Sequence, residues 1–536
     1  MTSITPRQAY SKDELQKLYP AGLELQLVQV LLRHGERSPI SARFQNAGVP
    51  AFWPYCSVTR QLKSAVLDRG TNQFSTLEWK RRLESFGPGD EPVLASGPAG
   101  ELDAICDMGM LTDRGRETTF DLGTRLRRLY VEQLGFMPPE LRNADALYLR
   151  ATPMPRALES LQQTFSGLYP PHTRAPAFPP PAILTRAYSD ETLFPNDGNC
   201  RRFAALSRAF AQRTADRWND TDEMAYLNKL YGKWMPDASP RVAVDSRPRL
   251  SGIMDTINST LAHGPETRLP KEFYDAKGRD IIEKIGCEEW FAGFRESREY
   301  RMLGIGGLLG DIVGRMVGSA ERSTADGEYE IARKLDDGAL RNGHSDTQVR
   351  FGLSGCHDTT LAATLASLGA FDTAKWPPYT SHIAIEMFRK TESKTVFPAE
   401  ATNTSQITVP PVESRNSSPT STATNSSWFN SLFSWSAQAK PGTPPPGIGR
   451  KRTEELSEGE KTKLQGYYVR LRYNDEVVTI PGCKPVGKHL EGDESFCTLE
   501  AFKAIVDKFV PTNWKQQCQT SIQAAAFPEK PEPAGH

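Results

Sequence analysis

The sequence predicts a mixed α/β protein: a largely parallel central sheet flanked by helices, with a helical cap insertion. Three observations predict it. Short apolar runs at residues 25–32, 145–150 and 348–354 read as buried strands, each ending in a polar turn. Behind the second run, Leu158, Leu161, Phe165 and Leu168 recur at three- and four-residue spacing, and behind the third so do Leu361, Leu365 and Leu368, with Gly369 as a stop. Between these units the sequence turns helical and polar, with Trp218, Tyr226, Leu230, Tyr231 and Trp234 spaced like one helix face. Strand, polar loop and amphipathic helix in repetition is the pattern of an α/β sandwich.

Taken in order, residues 20–186 make the first part of the α/β core and 187–343 the helical cap. Residues 344–390 return to the core. Residues 391–463 are rich in Ser, Thr and Pro, including TNTSQITVPPVESRNSSPTSTATNSS and KPGTPPPGIGRKR, and are expected to be a disordered insertion. Alternating stretches at 382–388 and 467–473 flank it, so it decorates the loop of an antiparallel extension at the sheet edge. Residues 464–520 complete the core, and the Pro-rich end, 521–536, reads as a loose tail.

Composition sets limits. The chain has 536 residues with Lys+Arg and Asp+Glu both at 65, so no whole-molecule field attracts nucleic acid or anionic lipid, and any anion recognition must be local. No window has the apolar length of a transmembrane helix. Residues 1–19 carry Arg7, Lys12, Asp13, Glu14 and Lys17 and lack the apolar stretch of a secretory signal, which reads as intracellular and cytoplasmic. Eight cysteines are an even number but sparse for this length; sequons occur at Asn219, Asn258, Asn403, Asn416 and Asn425. Without a signal peptide, reduced thiols are the expectation.

The chemistry is concentrated after the strands. Arg33-His34-Gly35-Glu36-Arg37-Ser38-Pro39 follows the first, at the carboxyl end where ligands bind in open α/β sheets. Gly35 would let the backbone turn so that His34, Arg33 and Arg37 converge, and such cations share a site only when an anion joins them. Arg150 ends the second strand and His357-Asp358 follows the third, so each would project to the same edge. Taken alone, Arg150 reads as a surface ion-pair partner, and Asp358 equally as a helix N-cap.

These segments resemble the histidine acid phosphatases, the branch of the histidine phosphatase superfamily with RHGxRxP and HD motifs. Leu111-Thr112, Gly115, Leu122-Gly123 and Tyr130 are similar to the family's helix before the second strand; Pro377-Pro378-Tyr379, Ser381-His382 and Glu386 to the segment after the HD helix. The likeness spans 25–169 and 348–473, fades in the cap, and is greatest toward the lysophosphatidic acid phosphatase type. It implies a phosphoglycerate-mutase-like fold and a phosphate monoesterase working through a phosphohistidine. His34 would be the nucleophile and Asp358 the proton donor, with Arg33, Arg37, Arg150 and His357 holding the phosphoryl oxygens.

The arginines would stand in for a metal, so no cofactor or metal is expected; HExxH, CxxC and P-loop patterns are absent from the sequence. Glu36 is expected to face an Arg or solvent, and Cys356 to be a small buried residue. The substrate is a small phosphate monoester, a lysophospholipid as the finer expectation, with selectivity set by the cap and by residues around Phe44, Trp53 and Tyr55. Two rivals stand beside this reading: a mutase-type phosphotransferase, and a silent scaffold docking through Trp428, Phe429, Phe433 and Trp435, which could also touch a membrane surface.

Overall fold

The computed structural model describes residues 7–321, 349–371, 375–391 and 447–536. The described residues up to Lys390 and from Gly447 onward belong to one compact unit. Its strands are β1 (Leu23–Arg33), β2 (Leu62–Asp68), β3 (Gln73–Trp79), β4 (Glu84–Phe86), β5 (Pro92–Leu94), β6 (Leu147–Ala151), β7 (Phe351–Cys356), β8 (His382–Lys390), β9 (Tyr467–Tyr473), β10 (Glu476–Val478), β11 (His489–Leu490) and β12 (Asp493–Thr498). Eight form the main sheet, in the order β11-β12-β9-β8-β1-β7-β6, with β10 beside β9. The trio β1, β7 and β6 is parallel, while β8, β9 and the strands beyond form the antiparallel extension.

The unbroken apolar run of β1 has a simple cause: both faces of the strand are covered. Val28, Val30 and Leu32 pack among Leu122, Leu126, Leu161 and Phe165, under the helices Asp113–Arg127 and Pro155–Leu168. Leu27 and Leu31 face the other way, onto residues of the helices Gly307–Glu321, Asp358–Ser367 and Leu499–Asp507. Period-two alternation therefore sorts side chains between two helical layers.

The segment 187–321 is helical, and its helices Arg201–Trp218, Asp222–Tyr231, Leu250–Ala262 and Ala276–Glu296 include Trp218 and Tyr231 in a shared apolar cluster. Residues 322–343 lie outside the described residues.

Several expectations change. Only 392–446 of the Ser/Thr/Pro-rich stretch, including Trp428 to Trp435, lies outside the described residues, whereas 447–463 is folded. Ile448 and Leu456 are buried in the main core, so a few apolar anchors suffice to seat a polar run. The end of the chain is not loose: Gly482 N–H donates to Gly535 at 2.6 Å, and Arg301 donates to the Glu532 carbonyl at 3.0 Å. The reduced-thiol reading fails for six cysteines, which pair as Cys56–Cys106, Cys200–Cys518 and Cys483–Cys497; Cys287 and Cys356 are free. These pairings join positions 50, 318 and 14 residues apart, which spacing alone could not match. Among the described residues no helix is long and apolar enough to cross a membrane.

Candidate active site

His34 is the first residue beyond β1, at the carboxyl edge of the parallel trio. Its backbone N–H donates to Cys356 of β7 at 3.1 Å, and its carbonyl accepts from Thr380 at 3.2 Å, so main chain on both sides fixes it. The next residue, Gly35, lies so close to the neighbouring helix that an added Cβ would stand 2.2 Å from the Gly115 carbonyl oxygen. Only glycine allows that approach. The imidazole Nδ1 lies 2.9 Å from the Gly35 carbonyl, an acceptor only, so Nδ1 carries the proton and Nε2 keeps its lone pair.

The ring is buried. Burial, followed by the charges of Arg156, Arg33 and Arg37 and of His357, keeps its pKa well below the ordinary histidine value. Burial and the surrounding cations therefore favour the neutral imidazole. His357 stands beside it with ring centroids 5.6 Å apart, and its Nε2 meets the Thr152 hydroxyl at 3.1 Å. Burial and Arg156 bring the His357 pKa down to about 3.

Arg33 and Arg37 converge here as expected, each anchored by a carboxylate. Arg33 Nη2 pairs with Asp358 Oδ2 at 2.7 Å, Nη1 donates to the Pro377 carbonyl, and the guanidinium lies 4.2 Å from the centroid of Tyr379. Arg37 Nη2 pairs with Asp255 Oδ1 at 2.7 Å. Burial works against the charge on Arg37, but Asp255 more than offsets it.

Arg150 is not among this group. On β6, Leu147, Leu149 and Ala151 face the Pro155–Leu168 helix, which leaves Tyr148 and Arg150 on the opposite face. There Arg150 donates to Glu191 at 2.5 Å and to Thr192 at 3.2 Å, with Asp311 at 3.8 Å. The third arginine of the cluster is Arg156, on the first turn of the helix that follows β6. Burial and the nearby charge of Arg37 lower its pKa to about 10. The Nε donors of Arg33, Arg37 and Arg156 are buried without a hydrogen-bond partner among the described residues, a state they share with other buried arginines, Arg150 among them; what sets these three apart is that all of them bear on His34.

Asp358 opens the helix Asp358–Ser367, its Oδ1 accepting from Thr359 N–H at 2.8 Å. Oδ2 accepts from Arg33 and, at 2.9 Å, from Trp376 Nε1. Burial raises the carboxyl pKa, but Arg33, the Trp376 hydrogen bond and Arg37 outweigh it and hold the group below its ordinary value. Glu36 turns away from the cluster and is buried, accepting from Thr118 at 2.5 Å with Arg114 at 3.8 Å. Cys356 is buried and donates to Leu32, and burial lifts its thiol pKa to about 12.

Sequence reasoning missed Arg156, Asp255 and Trp376. Arg156 had a usable signal, since it follows the helix-starting Pro155 at the strand edge. Asp255 lies on the cap helix Leu250–Ala262, distant in sequence from the residue it holds.

The family model of the histidine phosphatase superfamily (branch 2) matches residues 24–399. A probable acid phosphatase of Schizosaccharomyces pombe is 34% identical over 501 residues, 94% of this chain and 95% of that one. Human lysophosphatidic acid phosphatase type 6 is 25% identical over 378 residues, 70% of this chain and 76% of the other. Among solved structures, Hafnia alvei phytase in complex with tartrate has a TM-score of 0.49 at 13% identity, covering 93% of this chain and 99% of its own. With the signature at the end of β1, the HD pair at the end of β7 and this span of sequence similarity, the chain belongs to branch 2 of the histidine phosphatase superfamily.

Proposed function

We propose that this chain hydrolyses phosphate monoesters through a phosphohistidine on Nε2 of His34. The observation that carries the reading is the Nδ1–Gly35 bond, which leaves Nε2 as the lone-pair nitrogen among Arg33, Arg37 and Arg156. These guanidinium groups, with His357, would bind the equatorial phosphoryl oxygens and stabilise the charge that develops there. Arg156 takes the role first expected of Arg150.

In the first step Nε2 attacks phosphorus and the P–O ester bond breaks, with Asp358 giving its proton to the departing alkoxide. In the second, water attacks the phosphohistidine, the N–P bond breaks, and Asp358 takes a proton from the water. In the free protein Arg33 and Trp376 favour the ionised form of Asp358, and a phosphate that adds negative charge beside it favours the protonated form.

A lysophospholipid is the first physiological substrate to try, since lysophosphatidic acid phosphatases are among the relatives. Three disulfides fit an oxidising compartment in place of the cytoplasmic expectation.

The test is to quench turnover of a labelled monoester in base and map the phosphoenzyme. Acid-labile, base-stable label on His34, lost together with activity in His34→Ala, is the expected result. Label on Cys356 or a serine, or undiminished turnover by His34→Ala, would refute it.

A further inference from the structure

One loop, from Pro377 to Ser381, makes four contacts with Arg33 and His34. The Pro377 carbonyl accepts from Arg33 Nη1, and the ring of Tyr379 faces the Arg33 guanidinium at 4.2 Å. Thr380 N–H donates to the His34 carbonyl at 3.2 Å, and the Ser381 carbonyl accepts from Arg33 N–H at 2.8 Å. Arg37 and Arg156 are positioned from elsewhere, by Asp255 and by the helix Pro155–Leu168. The loop therefore sets the nucleophile and one of the three arginines.

At the centre of this loop Thr380 has a φ of 64°, which is left-handed backbone. A branched Cβ makes that region costly, and glycine or asparagine is its usual occupant. Such a residue persists only where its surroundings hold it. Thr380 is buried, and its hydroxyl lies 3.0 Å from that of Thr118, on the helix Asp113–Arg127. The Thr118 hydroxyl in turn lies 2.5 Å from Oε2 of Glu36. A carboxylate only accepts, so Thr118 gives its one proton to Glu36 and Thr380 donates to Thr118. Glu36 is itself fixed, because Thr112 donates its N–H and its hydroxyl to the Glu36 carbonyl at 3.0 and 3.1 Å. The buried acid two residues after the nucleophile is thereby tied to the loop that encloses the nucleophile.

We propose that Thr380, Thr118 and Glu36 form a latch of positioning residues. Their chain of hydrogen bonds holds Thr380 in its left-handed conformation, and through it the loop that aligns His34 and Arg33 for attack on phosphorus. The kinetic consequence rests on the phosphatase reading.

The test is a series at one position, assayed with p-nitrophenyl phosphate. Thr380→Ser keeps the hydroxyl. Thr380→Gly loses it but accepts the backbone without strain. Thr380→Val keeps the shape of threonine, loses the hydroxyl and leaves the strain unopposed. kcat should fall in that order, with Ser within about threefold of wild type and Val about tenfold to a hundredfold below it, the cost of a nucleophile displaced by about 1 Å. Inhibition by inorganic phosphate, which Arg37 and Arg156 also hold, should weaken by no more than about threefold in the same variants. Thr118→Val should match Thr380→Val, and the double variant should be no worse than either. Should Thr380→Val not fold, Thr118→Val, which leaves the loop itself unchanged, carries the comparison.

A role in packing alone would reverse the order, with the isosteric Val best and Gly worst, and that result would overturn the proposal. So would equal losses of kcat and of phosphate affinity. If wild type turns over no monoester, the phosphatase reading falls separately, and the latch is judged by hydrogen exchange over residues 379–383, which needs no turnover. Faster exchange in Thr380→Val and Thr118→Val than in wild type and Thr380→Ser supports it, and equal exchange refutes it.

Discussion

Asp255, on the Leu250–Ala262 helix of the cap segment, holds Arg37 of the RHGxRxP signature by an ion pair of 2.7 Å in which both side chains are nearly buried. The same carboxylate accepts from Ile40 N–H at 3.2 Å and reaches Arg43 at 3.4 Å, so one cap residue fixes the loop after the signature. Asp255→Asn should therefore misplace Arg37 and lower kcat/KM by about tenfold to a hundredfold. The double variant with Arg37→Ala should be little worse than Arg37→Ala alone, since both changes remove one interaction. Steady-state kinetics on the four proteins gives the answer; fully additive losses would mean that Asp255 acts apart from Arg37.

The two arginines near β6 should separate stability from catalysis. Arg150 and Glu191 are both buried, and removing one leaves the other charged without its partner, so Arg150→Ala should cost about 3–5 kcal/mol of stability. Among the described residues the Arg156 side chain hydrogen-bonds the Met154 sulfur alone, at 3.2 Å, so Arg156→Ala should fold normally and lose about 10²-fold to 10³-fold in kcat. Urea melts and single-substrate kinetics would show the crossover; a stable but inactive Arg150→Ala would restore Arg150 to the phosphate site.

Those two residues also mark where the sequence was readable. The parallel strands and the residues directly after β1 and β7 could be placed because an apolar run with an abrupt polar end fixes both the strand and its edge. Arg150 sat on the right strand but one residue out of phase for the site, and a five-residue strand gives little alternation from which to read the face. Asp255 and Trp376 act across the fold, through contacts that no local pattern encodes. The hairpins β2–β3 and β4–β5, largely exposed, bury no apolar stripe that would have announced them.

The disulfides should matter to stability and not to the chemical step. Cys200–Cys518 ties the start of the first cap helix to the C-terminal region across 318 residues. Cys200→Ser together with Cys518→Ser should destabilise by about 2–4 kcal/mol, the usual range for a native crosslink. Turnover of p-nitrophenyl phosphate below the unfolding temperature should be unchanged. Calorimetry with and without reductant measures the first, and equal melting curves would show that the bond does not form in the folded protein.

Trp376 should set the pH range of the reaction. Its indole N–H donates to Oδ2 of Asp358, the oxygen that also pairs with Arg33, and a donor aimed at a carboxylate favours the ionised form. Trp376→Phe keeps much of the ring packing against Phe291, which lies 5.0 Å away, but removes that donor, so the Asp358 pKa must rise. Departure of the alkoxide needs Asp358 protonated, and a higher pKa keeps it so to higher pH. The alkaline limb of kcat against pH should move upward. The acid limb should stay in place, because the pKa of His34 is set by its burial and the surrounding arginines. For substrates with a good leaving group, such as p-nitrophenyl phosphate, protonation of the leaving oxygen matters less, so the shift should be smaller than for an alkyl phosphate. A purely structural role for Trp376 would lower kcat at all pH values alike, and that result would remove it from the proton-transfer scheme.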